Sequence, residues 1–214
     1  MSISKKRISL TVVMLVGFAS LIAGVFVAQH LPEKKVALAQ QFKGTLLDHP
    51  RSIKPFALTG TDGEPFTNQS LQGHWTMIFY GFTNCATICP TTMAELGQMY
   101  RFLEKNKVDP LPEVVMVSID PERDSLLRLA NYVKAFDPHF SGARGDDKAV
   151  HKMARGMGIV YMKAAADRGN PQENYTIQHS GAVMLFNPQG ELAAFFTPPN
   201  TAEEIAHDYE LVVS

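Results

Sequence analysis

Cys85 and Cys89 are the two cysteines of this 214-residue chain, set in Gly81-Phe82-Thr83-Asn84-Cys85-Ala86-Thr87-Ile88-Cys89-Pro90. Such a close pair is a poor folding framework, because cross-linking a loop of about five residues contributes roughly 2 kcal/mol at best. Thiolates are both nucleophiles and soft metal ligands, so the pair is suited to disulfide exchange or to metal capture. Three intervening residues let the sulfurs spread around an ion while still permitting closure to a disulfide. Two thiolates select Cu(I), and an added imidazole makes a set able to hold Cu(II) as well.

A third ligand is therefore expected, and His179 in Tyr175-Thr176-Ile177-Gln178-His179-Ser180 is the candidate. It precedes an apolar segment starting near Ala182; if that strand runs antiparallel to the strand before the cysteines, its beginning lies at their sheet edge. The competing reading is a histidine held by local hydrogen bonds at a strand start. Asp120, in Asp120-Pro121-Glu122-Arg123-Asp124, closes another strand at the same edge, either as an outer-shell partner of the metal site or as a residue that only shapes the turn. Met77, Met93, Met99, Met116 and Met184 occupy apolar-face positions and are expected to fill the core. His30, His49, His74, His139, His151 and His207 show no ligand-like spacing.

The elements that must position these residues read as α/β. Trp75 to Phe82 is a continuous apolar run, as in a strand buried on both faces, and Glu113 to Ile119 is a second. Between them Met93, Leu96, Met99, Tyr100 and Leu103 have helical spacing over Pro90 to Asn106, with Pro90 suited to the first helical position. Leu126, Leu129, Ala130, Val133 and Phe136 mark another helix, with Asp124 as its expected N-cap. Phe56 to Leu58 and Pro65 to Thr67 flank an Asp62-Gly63 turn, and Ala182 to Phe186 and Leu192 to Phe196 form a later hairpin. Thr201 and Glu204 make a capping box for a final helix. A β-α-β half followed by a β-β-α half is the thioredoxin-like plan: a central mixed sheet flanked by helices, with an N-terminal β-hairpin. The cysteines then lie past the carboxyl end of a parallel strand and at a helix N-terminus, where thiols lose their protons more readily.

Ile8 to Ala28 carries no charged residue, and about 21 residues at 1.5 Å each span a bilayer core. Lys5, Lys6 and Arg7 precede it, so the short N-terminus is expected in the cytoplasm and the domain across the membrane. A cleaved signal peptide ending at Ala37-Leu38-Ala39 competes, but the apolar run is longer than a usual signal core. The organisation expected is a cytoplasmic N-terminus and transmembrane anchor over 1–30, an irregular linker over 31–51 and one domain over 52–214. A formal charge of −1 and a pI near 6.7 supply no field to gather nucleic acid.

On these residues the chain resembles the Sco/SenC family of membrane-tethered copper chaperones for cytochrome c oxidase assembly. The likeness covers roughly residues 52–212 and rests on Gly81-Phe82-Thr83, Cys85, Cys89-Pro90, Asp120-Pro121-Glu122-Arg123-Asp124 and His179-Ser180. It implies copper, as Cu(I) or Cu(II), on Cys85, Cys89 and His179, with the thiols also cycling through a disulfide. It implies as partner the copper-site subunit of cytochrome c oxidase or another copper-transfer protein, and as location a single-pass bacterial inner-membrane anchor with the domain in the periplasm. The family's Pro-Asp after the first cysteine is Ala86-Thr87 here, and its aspartate before the histidine is Gln178, which removes negative charge near the site.

The alternative function is a thiol-disulfide oxidoreductase or redox sensor that uses Cys85 and Cys89 without His179. A peroxiredoxin would need Pro-x-x-x-Thr-x-x-Cys, and Phe82 stands where that threonine would be.

Overall fold

The computed structural model describes residues 12–22, 24–25, 41–165 and 175–213. The chain divides into two compact units, Met1–Phe42 and Lys43–Ser214. In the first, residues 12–22 and 24–25 are helical, and Val12, Val13, Met14, Leu15, Val16, Phe18, Leu21 and Ile22 are exposed. Among the described residues no helix is long and apolar enough to cross a membrane. The expected span Ile8 to Ala28, and the cleavage site at Ala37-Leu38-Ala39, lie partly or wholly outside the described residues.

The second unit is built on an eight-stranded mixed sheet. In chain order its strands are β1 (Thr45–Ser52), β2 (Ala57–Gly60), β3 (Pro65–Thr67), β4 (Thr76–Gly81), β5 (Glu113–Ser118), β6 (Ser141–Arg144), β9 (Val183–Phe186) and β10 (Glu191–Phe196). A separate two-stranded sheet pairs β7 (Tyr161–Ala165) with β8 (Tyr175–His179). The helices are α1 (Ile88–Lys105), α2 (Leu126–Lys134), α3 (Asp147–Gly156) and α4 (Ala202–Val213). The large sheet runs β1-β10-β9-β4-β5-β6-β2-β3, with β4, β5 and β6 parallel and β9 antiparallel to β4. This is the thioredoxin-like arrangement, with α1 against α4 and α2 against β6.

All six residues of β4 are buried, because helices cover a parallel strand's faces and neighbouring strands flank it. Met77, Met93, Met99, Met116 and Met184 are fully buried, as flexible gap-fillers should be. The Asp62-Gly63 turn is present with Gly63 at φ +89°, and Thr201 and Glu204 exchange both capping-box bonds ahead of α4.

Four expectations need correction. The stretch read as irregular linker contains β1, whose mostly exposed residues give no apolar signal because it is a sheet edge. Helix α1 starts at Ile88, two residues before Pro90; first-turn N–H groups have no helical partner, so proline is tolerated there too. The cap of α2 is Ser125, whose hydroxyl accepts the Arg128 N–H at 3.2 Å, and not Asp124. Finally, β6, α3 and the β7–β8 hairpin add to the two-halves plan.

Asp208 on α4 is fully buried, and its carboxylate accepts the N–H groups of Lys43 at 2.8 and 2.9 Å and of Gly44 at 2.7 Å. The charge-assisted bonds fasten the chain ahead of β1 to the last helix. Asp208→Ala would strand two N–H groups and is expected to lower stability by about 2–6 kcal/mol, at roughly 1–3 kcal/mol for each unsatisfied group. Urea denaturation of the variant beside wild type measures this, and a loss under about 0.5 kcal/mol would contradict it.

Candidate metal centre

The strand β4 ends at Gly81, and the chain turns through Phe82 to Thr87 into α1. A Cβ on Gly81 would lie 2.6 Å from the Phe79 ring, 2.9 Å from the Met116 methyl and 3.2 Å from Cys89 Sγ. Only glycine lets this backbone pass so close to the sulfur. The Cys85 N–H donates to the Phe82 carbonyl at 3.2 Å, closing the turn. Thr87 caps α1 without a side-chain hydrogen bond; instead the Cys89 N–H donates to Cys85 Sγ at 3.4 Å. Cys85 is thus the sulfur that meets the positive end of the helix.

The two thiols differ. Cys89 is fully buried and Cys85 half-buried. Burial pushes the Cys89 thiol well above its usual value, and the hydrogen bond to Cys85 and the charges of Cys85 and Asp124 push the same way.

His179 is the last residue of β8. Its Nε2 lies 3.3 Å from Cys89 Sγ, and ligand atoms of Cys85, Cys89 and His179 all fall within 4.8 Å of one another. An ion such as zinc, with bonds of about 2.0–2.3 Å to nitrogen and sulfur, would hold three coplanar donors roughly 3.5–4 Å apart, so this set needs little adjustment. The ring packs against Phe79 (centroids 5.9 Å) and edge-on to Phe82 (6.0 Å). The Gly181 N–H lies 3.4 Å from Nδ1 and donates to it in the tautomer that carries the ring proton at Nε2. Coordination through Nε2 would need a neutral ring with its proton at Nδ1 and deprotonated sulfurs, so metal binding would strengthen as pH rises. Gly181 has φ +61°, and a Cβ there would lie 2.5 Å from Ile88. The close approach of the histidine segment to the cysteine loop therefore requires glycine.

Asp120 is fully buried but bonds Arg123 Nε and the Tyr175 hydroxyl; no described contact links it to the three donors. A carboxylate that does bond the cysteine loop is Asp124, which accepts the Thr83 N–H at 3.2 and 3.3 Å, the Thr83 hydroxyl at 2.5 Å and the Ser118 hydroxyl at 2.7 Å. Sequence reasoning assigned this residue to a helix cap. Its hydroxyl partners lie at the ends of the two buried strands, which is the signal that was present. The alternation Tyr175, Ile177, His179 likewise marked a strand ending at the histidine.

A thioredoxin-like domain with two cysteines and a histidine converging at the carboxyl edge of its parallel strands defines a class of thiol- or metal-handling proteins. Comparison with known proteins narrows it: the SCO1/SenC family pattern matches residues 45–214, and the chain belongs to that family. It is 32% identical over 189 residues to the SCO2-like protein RP587 of Rickettsia prowazekii, covering 87% of this chain and 90% of that one. It is 31% identical over 200 residues to the human mitochondrial SCO1 homologue, covering 92% of this chain and 64% of the human protein's length. The crystal structure of Arabidopsis thaliana ScoI with copper bound superposes with a TM-score of 0.67 at 28% identity, covering 75% of this chain and 98% of that one.

Two outcomes follow from the burial pattern. In the reduced, metal-free protein iodoacetamide should modify Cys85 at least about tenfold faster than Cys89, since only thiolate reacts and Cys89 is both protonated and enclosed. Peptide mass spectrometry reads the ratio, and equal rates would contradict it. Burial also holds the His179 imidazole below its usual 6.5. At low pH the unfolded chain therefore binds the proton more readily than the folded one, and the stability tied to the neutral ring is lost as pH falls from about 6.5 through the folded value. Metal-free wild type should lose more stability than His179→Ala between about pH 7 and pH 5 in paired urea titrations.

Proposed function

We propose that the chain is a copper-handling protein whose cargo is held by Cys85, Cys89 and His179. The observation that carries this is the convergence of two sulfurs and one ring nitrogen within 4.8 Å from segments ninety residues apart. Soft thiolates suit Cu(I), and the imidazole extends the set to Cu(II). Cys85 and His179 are half-buried and Cys89 is enclosed, so cargo is exchanged with an incoming ligand on the Cys85 and His179 side while Cys89 holds it from within. This is ligand exchange, and nothing is turned over.

The recipient that the family likeness favours is the copper-site subunit of cytochrome c oxidase or another copper-transfer protein. Membrane attachment belongs to the same proposal. The uncharged stretch Ile8 to Ala28 after Lys5, Lys6 and Arg7, and the exposed apolar side chains of residues 12–22, support an inner-membrane anchor over 1–30 with residues 31–51 leading to a periplasmic domain.

A second reading, a thiol-disulfide oxidoreductase or redox sensor, is favoured by the unequal thiols, since a half-buried attacking Cys85 and a buried resolving Cys89 suit mixed-disulfide chemistry. His179 separates the two. Anaerobic copper titration of the reduced full chain is expected to give one copper per chain. His179→Ala should weaken Cu(II) by more than about a hundredfold, beyond the roughly 10–100-fold cost of outer-shell changes, while disulfide formation persists. Unchanged Cu(II) spectra in that variant would remove the histidine from the site.

A further inference from the structure

The strand that carries His179 pairs with β7 alone among the described residues, and the β7–β8 sheet is not hydrogen-bonded to the large one. A lone two-stranded hairpin is marginal in water, so side chains must fix its position. Residues two apart share a face, and Tyr175 and His179 stand on the same side as the buried Ile177, with Thr176 and Gln178 exposed on the other. Holding Tyr175 therefore holds the strand at the end opposite His179, about 13 Å away at roughly 3.3 Å per residue.

We propose that Arg123 is a positioning residue for His179, a rivet that joins the start of β8 to the sheet edge that carries the cysteines. Its Nε bonds the buried Asp120 carboxylate, and its Nη1 donates to the Tyr175 carbonyl at 3.1 Å. The guanidinium lies 3.8 Å from the Tyr175 ring centroid and 5.8 Å from that of Phe82, the ring that stands edge-on to His179. The Tyr175 hydroxyl returns to the same Asp120 carboxylate. Arg123 itself sits on a fixed turn, since its N–H and that of Asp124 both donate to the Asp120 carbonyl. A planar fork meets a carboxylate, a carbonyl and an aromatic face at once, which a lysine cannot do. The Lys163 to Glu122 pair beside it, at 3.2 Å, is solvated and contributes little.

The test uses the full chain with Arg123→Ala, Arg123→Lys and, as control, Lys163→Ala. In the metal-free state the amides of residues 175–179 are expected to exchange at least about tenfold faster in both Arg123 variants, with β4, β5 and β9 unchanged. The Lys163 control should match wild type. The metal arm rests on the copper reading: Cu(II) affinity should fall about 10–100-fold, as for a lost outer-shell support, and Cu(I) affinity by less than about threefold because the thiolates carry it. Wild type that takes up no copper would end the copper reading and leave the rivet to be judged by exchange. Unchanged exchange at 175–179 in Arg123→Ala, or full rescue by Arg123→Lys, overturns the rivet whatever the copper result. Should the alanine variant lose its fold by circular dichroism, the lysine variant decides on the same readings.

Discussion

The site exists only because a hairpin outside the main sheet is held against the end of β4. Cys85 and Cys89 are placed by covalent neighbours: a buried strand, a turn closed on Phe82 and the first turn of α1. His179 has no such guarantee. Its ring is brought to a sulfur 3.3 Å away by contacts from separate segments: the Phe79 and Phe82 rings beside it, the Gly181 N–H at Nδ1, the Arg123 bond to the start of its strand, and Tyr161 of the paired strand stacked on His151 at 4.2 Å. Aromatic contacts of this kind are each worth about 0.5–1.5 kcal/mol beyond their buried area, so several are needed to fix one strand.

The turn Asp120-Pro121-Glu122-Arg123-Asp124 is where the two ligand-bearing segments meet. Asp124 reaches one way, to Thr83 two residues before Cys85, and Arg123 reaches the other, to the start of β8. Adjacent residues thus tie the thiol loop and the histidine strand to a common point at the end of β5. Asp120 closes the turn with its carbonyl and anchors the arginine with its carboxylate, which explains its complete burial better than contact with a metal would. A buried carboxylate needs a charged or several polar partners, and here it has the guanidinium and the tyrosine hydroxyl.

Legibility followed burial. The β4 and β5 strands, α1 and the β9–β10 hairpin were readable because their apolar residues are continuous or at helical spacing, and the three candidate ligands followed from residue chemistry and sheet direction. Strand β1 was not, since most of Thr45–Ser52 is exposed and its strand character comes from pairing with β10. Strand β6, Ser-Gly-Ala-Arg, has almost no side chain to betray it; a Cβ on Gly142 would run into Leu129 at 2.6 Å, so smallness there serves α2 packing. Asp124 was misplaced by one residue because aspartate and serine are both good caps, and only the tertiary partners Thr83 and Ser118 separate them.

Charge near the donors follows from the same geometry. Gln178 points to solvent and is on the face of β8 opposite His179, so exchanging it for an acid would add charge at the surface and not against the ring. Burial above all keeps Cys89 protonated until something compensates, with Cys85 and then the Asp124 carboxylate adding to it from within. A cation bound by the sulfurs supplies that compensation; disulfide closure, at about 2.05 Å between sulfurs, removes the thiols altogether. Metal capture and disulfide formation therefore use the same two sulfurs and exclude each other, the first releasing protons and the second requiring an oxidant that takes two electrons and two protons. Whichever reading of function holds, the oxidation state of the pair governs whether His179 faces a ligand set or a closed bridge.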